Sequence, residues 1–237
     1  MTPRAIFFDL DDTLLDGVQA ATIAWQAVTA AFGPELGIEP EKLREAIHRE
    51  TANFWRDEAA VGHWRVKLRE ARELCTRRAL EAEGLDGSDA GRIAGDYLAE
   101  HRANLHLFDD SIGTLESVRE AGYKLGLLTN GPREMQRGKI DRFELEDRFD
   151  VIVIEGEFGH GKPEHEVFEH AMTTVGSAPA ESWHIGDNLY ADIGGAQRAG
   201  LHGVWIHRER LKKGDNPAAD PDREIGHLPE LLAVLGV

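Results

Sequence analysis

Short apolar runs rich in β-branched and aromatic residues recur along the chain at residues 4–8, 123–128, 151–154, 183–185 and 203–206. None shows clean polar alternation, which is the pattern of strands buried on both faces. From the second run onward, stretches with helical periodicity separate them, at 132–143, 163–175 and 189–199. Strands alternating with helices predict a parallel, doubly wound α/β sheet. The turn residues agree: Asn130-Gly131-Pro132, Gly161-Lys162-Pro163 and Gly200 stand where helices should start or stop.

The gap between the first and second runs is of another kind. From about residue 16 to 107 there is no strand-like run, and helical patterns fill 18–32, 40–54, 61–83 and 90–104. That much helix between two strands predicts a separate all-helical subdomain. The expected division is an α/β core of residues 1–15 and 108–237 with a helical insert of residues 16–107. Asp109-Asp110-Ser111 is expected to cap a returning helix at 112–121, which Gly122 ends.

Composition narrows the function. The 237 residues are 41% hydrophobic and 30% charged, a soluble globular make-up. Lys and Arg number 27 against 43 Asp and Glu, a formal charge of −16. Such a surface repels phosphate backbones and anionic lipid, which argues against nucleic-acid and membrane partners. Cys75 is the one cysteine, so no disulfide forms within the chain. Only Ala5-Ile6-Phe7-Phe8 precedes Asp9 as an apolar run, too short for a signal peptide or a membrane span, and the expected location is the cytoplasm.

Ligands of open α/β sheets bind at the carboxyl ends of the strands. The polar residues following each predicted strand are Asp9-Leu10-Asp11-Asp12-Thr13, Thr129-Asn130-Gly131, Gly161-Lys162-Pro163 and Gly186-Asp187-Asn188, with Asp192 five residues beyond Asp187. One lysine cannot neutralise so many carboxylates at close range. A divalent cation can, and all-oxygen ligands favour Mg²⁺ over Zn²⁺. The expected roles follow. Asp9 attacks phosphorus, Asp11 handles the proton at the leaving oxygen, and Asp187 completes the metal site with them. Thr129, the amide of Asn130 and Lys162 bind the non-transferring oxygens. Asp192 orients Lys162 or metal-bound water.

Phe8-Asp9-Leu10-Asp11-Asp12-Thr13-Leu14, Leu128-Thr129-Asn130-Gly131, Gly161-Lys162-Pro163 and the stretch from Gly186-Asp187-Asn188 through Asp192 to Gly194-Gly195-Ala196 resemble the four ordered motifs of the haloacid dehalogenase (HAD) superfamily. The helical insert between the first and second motifs is similar to the C1-type cap of its subfamily I. The resemblance implies a Rossmann-like core, Mg²⁺ dependence and hydrolysis of a small phosphorylated metabolite through an aspartyl-phosphate on Asp9. It also implies that Asp11 binds the metal through its backbone carbonyl. The 2-haloacid dehalogenases lack the second aspartate, so Asp11 places the chain with the phosphatases. A phosphomutase, a dehalogenase and a non-catalytic module of the same fold are the alternatives. The oligomeric state, monomer or homodimer, stays open. The cap is expected to open for substrate and close against bulk water, hinging near Asp16-Gly17 and residues 107–110.

Other patterns carry less. Residues 156–162 spell G-x-x-x-x-G-K, but Pro163 supplies neither the hydroxyl nor the N–H of a phosphate loop. His165 and His170 are five apart and point different ways on a helix, unlike a zinc pair. Cys75 and His184 read as buried structural residues, and Arg77-Arg78 as a solvated helix face. In the insert, Trp55, Arg56, His63, Trp64 and Arg65 either roof the site or pack the insert's own core, with packing favoured for the aromatics.

Overall fold

A computed structural model describes residues 3–56, 63–208 and 219–237. Strands β1 (Ala5–Phe8), β2 (Lys124–Thr129), β3 (Val151–Ile154), β4 (Ser182–Gly186), β5 (His202–Ile206) and β6 (Arg223–Ile225) form one parallel sheet in the order 3-2-1-4-5-6. All four residues of β1 are buried, which is why its sequence shows no alternation. Phe8 pairs with Leu127 on one side and Ile185 on the other, so the chain leaves β1 at the middle of the sheet. The strand order proceeds outward from β1 in both directions, β2-β3 on one side and β4-β5-β6 on the other, which opens a crevice at the carboxyl end of β1.

The chain divides into two compact units, Met1–Asp16 with Leu107–Val237, and Gly17–His106. The second unit contains α1 (Gly17–Leu36), α2 (Pro40–Phe54), α3 (Leu68–Ala82) and α4 (Ala90–Asn104). Its core holds Trp25, Val28, Phe32, Leu43, Ile47, Leu80, Ile93 and Tyr97, with Trp25 stacked on Tyr97 at 4.1 Å between centroids. The continuous helix expected at 61–83 is broken: α3 starts at Leu68, after a turn closed by Lys67 N–H to Trp64 O. The break lets Trp64 pack on Phe54 beside Trp55, Leu74 and Cys75, a satellite core that a straight helix would not make. Residues 61 and 62 of the expected helix lie outside the described residues.

In the sheet unit the helices are α5 (Ser111–Glu120), α6 (Arg133–Arg142), α7 (Glu155–Phe158), α8 (His165–Val175), α9 (Gly195–Arg198) and α10 (Pro229–Leu235). Phe7, Leu128, Val153, Val167, Phe168, Met172 and Leu201 form the core on one face of the sheet. Two expectations need correction, and one strand was not expected. Asp110 does not cap α5: its carboxylate takes two bonds from Arg208 Nη1, at 2.9 and 2.7 Å, and one from Leu228 N–H at 3.1 Å. The helix expected at 189–199 opens as a π-helical turn, Leu189–Gly194, before α9. Strand β6 escaped the apolar pattern because Arg223 and Glu224 are exposed and Ile225 is its one buried residue. Among the described residues no helix is long and apolar enough to cross a membrane.

Candidate active site

Asp9 follows the buried run of β1 and continues its ladder, donating from N–H to Ile185 O at 2.9 Å. Asp9 is 7% exposed, and its carboxyl lies 2.5 Å from the ammonium of Lys162. Lys162 is also buried and reaches Asp192 Oδ1 at 2.6 Å. Burial pushes Asp9 up to about 7, with Lys162 pulling against it and Asp192 adding to it. Burial works against the charge on Lys162, but Asp192 and Asp9 outweigh it and hold the ammonium above the ordinary lysine range. Burial would likewise raise Asp192, yet Lys162 and His184 keep it well below the usual carboxylate range.

His184 explains part of that. Buried inside β4, it meets Asp192 Oδ1 through Nε2 at 3.0 Å. Burial lowers its pKa, against the pull of Asp192, and a proton on Nε2 would face the carboxylate. The packed, hydrogen-bonded histidine read from the sequence therefore has a specific partner.

The π-helical turn sets Asp192 in place. Asn188 Oδ1 accepts from the N–H groups of Tyr190 and Ala191, and Asn188 O accepts from Asp192 and Ile193. The wide turn swings Asp192 back so that its Oδ2 accepts from Asn188 N–H at 2.9 Å. A Cβ on Gly186 would collide with this carboxylate, so only glycine fits there.

A second clamp holds Lys162. Asn130 Nδ2 donates to Lys162 O at 2.7 Å, and Lys162 N–H donates to Asn130 Oδ1 at 2.8 Å. The side chain of Asn130 thus fixes the lysine's own backbone, a contact the sequence did not reveal. Buried Glu155 accepts from Gly131 N–H at 3.0 Å. A Cβ on Gly161 would stand 2.6 Å from Glu155 Cδ and 2.9 Å from Asn130 Oδ1, which requires glycine between them. Thr129, 2% exposed at the end of β2, accepts from Gln136 Nε2 at 2.5 Å.

The structure brings Asp9, Lys162, Asp187 and Asp192 into one cluster. One oxygen from each of Asp9, Asp187 and Asp192 lies within 4.8 Å of the other two. Burial, with Asp9 and Asp192 close by, raises Asp187 well above the ordinary value. Three carboxyls facing one ammonium fit a hard divalent cation, as their all-oxygen chemistry does.

Asp11, two residues beyond Asp9, is placed by a turn rather than by the strand. The strand ends at Phe8, and the chain then turns sharply: Leu14 and Leu15 N–H both return to Leu10 O at 3.0 Å, and Asp12 has φ 60°. The carboxylate of Asp11 goes to Lys139 and Gln136 instead. Asp9, Asp187 and Asp192 group their side chains as a metal site would, and the part expected of Asp11 there falls to its backbone carbonyl, not its carboxylate.

The sequence missed Gln136, Lys139 and Glu155, although a polar residue at the buried position of an otherwise solvated helix, as Gln136 is, was a usable signal. In the helical unit, Trp55 and Trp64 pack on Phe54, and Arg56 donates to Asn53 Oδ1 at 3.2 Å. His63 and Lys67 lie within hydrogen-bond distance of each other at the surface. His165 and His170 are exposed, and His170 stacks on Phe158.

A family model described as haloacid dehalogenase-like hydrolase matches residues 3–200. The chain is 32% identical over 251 aligned positions to a phosphoserine phosphatase of Thermus thermophilus, covering 97% of this chain and 98% of the relative. It is 33% identical over 237 positions to a glyceraldehyde 3-phosphate phosphatase of Methanopyrus kandleri, covering 98% and 97%. Its fold is similar to that of a HAD-hydrolase from Bacillus subtilis bound to magnesium, with a TM-score of 0.81, 24% identity and complete coverage of both chains. Matched by one family over most of its length and aligned end to end with phosphatases, this chain belongs to the haloacid dehalogenase-like hydrolases and is a phosphate-ester hydrolase.

Proposed function

We propose that the chain hydrolyses a small phosphate monoester with Mg²⁺, through an aspartyl-phosphate on Asp9. The observation that carries this reading is the buried Asp9 carboxyl held against Lys162 beside two further carboxyls. An oxygen of Asp9 attacks phosphorus as the bond to the leaving oxygen breaks, and Asp11 gives that oxygen its proton. Water then attacks the phosphoryl group, Asp11 takes the water's proton, and the Asp9–phosphorus link breaks to release inorganic phosphate. Lys162 and the Thr129 hydroxyl hold the non-transferring oxygens, with the amide of Asn130. Asp9 and Asp187, with the backbone carbonyl of Asp11, would hold the cation, and Asp192 orients Lys162. When bound, Mg²⁺ supplies positive charge that keeps Asp9 ionised and offsets the charge of the phosphoryl oxygens.

Every side chain in this scheme belongs to the α/β core of residues 1–15 and 108–237, and residues 16–107 serve as the helical cap. The acidic surface and the single, buried Cys75 support a cytoplasmic enzyme. Three-carbon phosphates, on which the named relatives act, head the substrate panel. Phosphate release is measured across phosphorylated metabolites with Mg²⁺ and with EDTA, for wild type and Asp9→Asn. Wild type with Mg²⁺ should release phosphate, and Asp9→Asn should lose roughly a thousandfold or more. Equal rates in the two proteins would exclude Asp9 as the nucleophile.

A further inference from the structure

Asp11, the residue assigned the proton transfers, is held from one helix. Both its oxygens lie 2.7 Å from Lys139 Nζ, and Oδ2 also accepts from Gln136 Nε2 at 3.0 Å. Gln136 and Lys139 are three residues apart on α6 and share a face of it. Arg133 and Arg137 of the same helix pair with Glu157 and Glu146 at the surface. The Lys139 side chain is 12% exposed and Gln136 is 1% exposed, so neither is a solvated residue making an incidental surface pair. A mostly buried ammonium facing both oxygens of the Asp11 carboxylate, whose side chain is 36% exposed, restricts that carboxylate's movement.

Gln136 does more than support Asp11. Its amide nitrogen has two hydrogens, one directed to Asp11 Oδ2 and one to Thr129 Oγ1. A carboxylate only accepts, so the nitrogen end of the amide must face it. The same group fills a lone pair of the Thr129 hydroxyl and leaves that hydroxyl's own hydrogen to point elsewhere. One side chain therefore orients both the proton-transfer carboxylate and a phosphate-binding hydroxyl.

We propose that Lys139 and Gln136 are positioning residues that hold the Asp11 carboxyl in one place through both halves of turnover. This rests on the reading of Asp11 as acid and base. In the first half the proton on Asp11 passes to the leaving oxygen as the phosphorus–oxygen bond breaks, and Lys139 stands beside the carboxylate that remains. In the second half that carboxylate takes a proton from the attacking water as the Asp9–phosphorus bond breaks.

The test is a double-mutant cycle of Lys139→Met and Asp11→Asn, with Mg²⁺ and both a small alkyl phosphate and p-nitrophenyl phosphate. Lys139→Met alone should lower kcat about 10- to 100-fold and move KM by less than about threefold. In the Asp11→Asn background the same change should cost less than about twofold. Lys139→Arg, which keeps the cation, should regain most of the loss. A Lys139→Met protein with the kcat of wild type overturns the proposal, and so does an equal loss with and without the Asp11 carboxylate. If Lys139→Met loses its circular dichroism, Gln136→Met runs the same cycle, with a raised KM expected as well because Thr129 loses its partner. A wild type that releases no phosphate instead overturns the phosphatase reading. A fully active Asp11→Asn overturns the role of Asp11. Either result is distinct from an active wild type in which Lys139 and Asp11 act independently.

Discussion

Asp9 is protonated in the cation-free native state up to about pH 7, whereas an unfolded aspartate holds its proton only below about pH 4. Between those values the folded chain binds more protons than the unfolded one, so the contribution of Asp9 to stability falls as pH rises. Asp187, also raised, acts in the same direction, while Asp192, held low by Lys162 and His184 against its burial, loses stability only as pH falls below about 4. His184, its pKa lowered by burial, costs stability as pH falls below about 6.5 and so works against Asp9 in the shared window. Comparison with Asp9→Asn separates the two. In EDTA that variant should be more stable than wild type at pH 8, by on the order of 1–3 kcal/mol, and the difference should shrink steadily below pH 7 and close near pH 4. Mg²⁺ should raise the wild-type melting temperature more at pH 8 than at pH 5 and raise that of the variant less. Melting followed by dye fluorescence checks both, and a wild type that gains stability over Asp9→Asn as pH rises would contradict the buried, raised carboxyl.

At the scale of elements, the parallel strands were legible because burial on both faces leaves an unbroken apolar run, as in Phe7-Phe8 and Val151–Ile154. Helices α2 and α4 were legible to the residue, since Pro40 starts one and the apolar stripe of the other ends with Asn104. What stayed hidden depends on tertiary partners. Asp110 has the chemistry of a cap, but Arg208, 98 residues away, takes its carboxylate. The break before Leu68 exists because Trp64 finds Phe54. The residues that follow each strand could be read as a site because sheet topology alone brings strand ends together, whereas Gln136 and Lys139 reach Asp11 only through the orientation of α6. The π-helical turn yields a prediction at this scale. Gly186→Ala places a methyl where the Asp192 carboxylate sits, and either the turn or the end of β4 must move. It should cost about 1–3 kcal/mol in urea unfolding and lower kcat, because Lys162 loses its second carboxylate. Unchanged stability and rate would show that Asp192 can move away without consequence.

At the scale of the whole molecule, the sheet unit is built from two stretches of chain separated by some 90 residues of helix, and its own hydrogen bonds join them. Leu15 pairs with Leu107 in antiparallel register, Phe108 N–H donates to Leu14 O at 2.9 Å, and Ser111 Oγ donates to the same carbonyl at 2.8 Å. Arg208 adds a bond to Thr13 O at 2.6 Å and lies 3.8 Å over the Phe108 ring. Each unit has its own core, around Phe7 and Phe168 in one and around Trp25 and Tyr97 in the other. Two cores of this kind predict two unfolding steps rather than one. The tryptophans report on them separately: Trp183 and Trp205 lie in the sheet unit, and Trp25, Trp55 and Trp64 in the helical unit. Urea unfolding followed by fluorescence, with either set replaced by phenylalanine, should give two different midpoints. All the proposed Mg²⁺ ligands lie in the sheet unit, so the cation should shift the Trp183 and Trp205 midpoint by an amount that grows with the logarithm of its concentration. The midpoint seen through Trp25, Trp55 and Trp64 should stay where it was. Equal shifts in both would mean that the cation's binding energy is shared by the entire chain and that the two cores unfold as one.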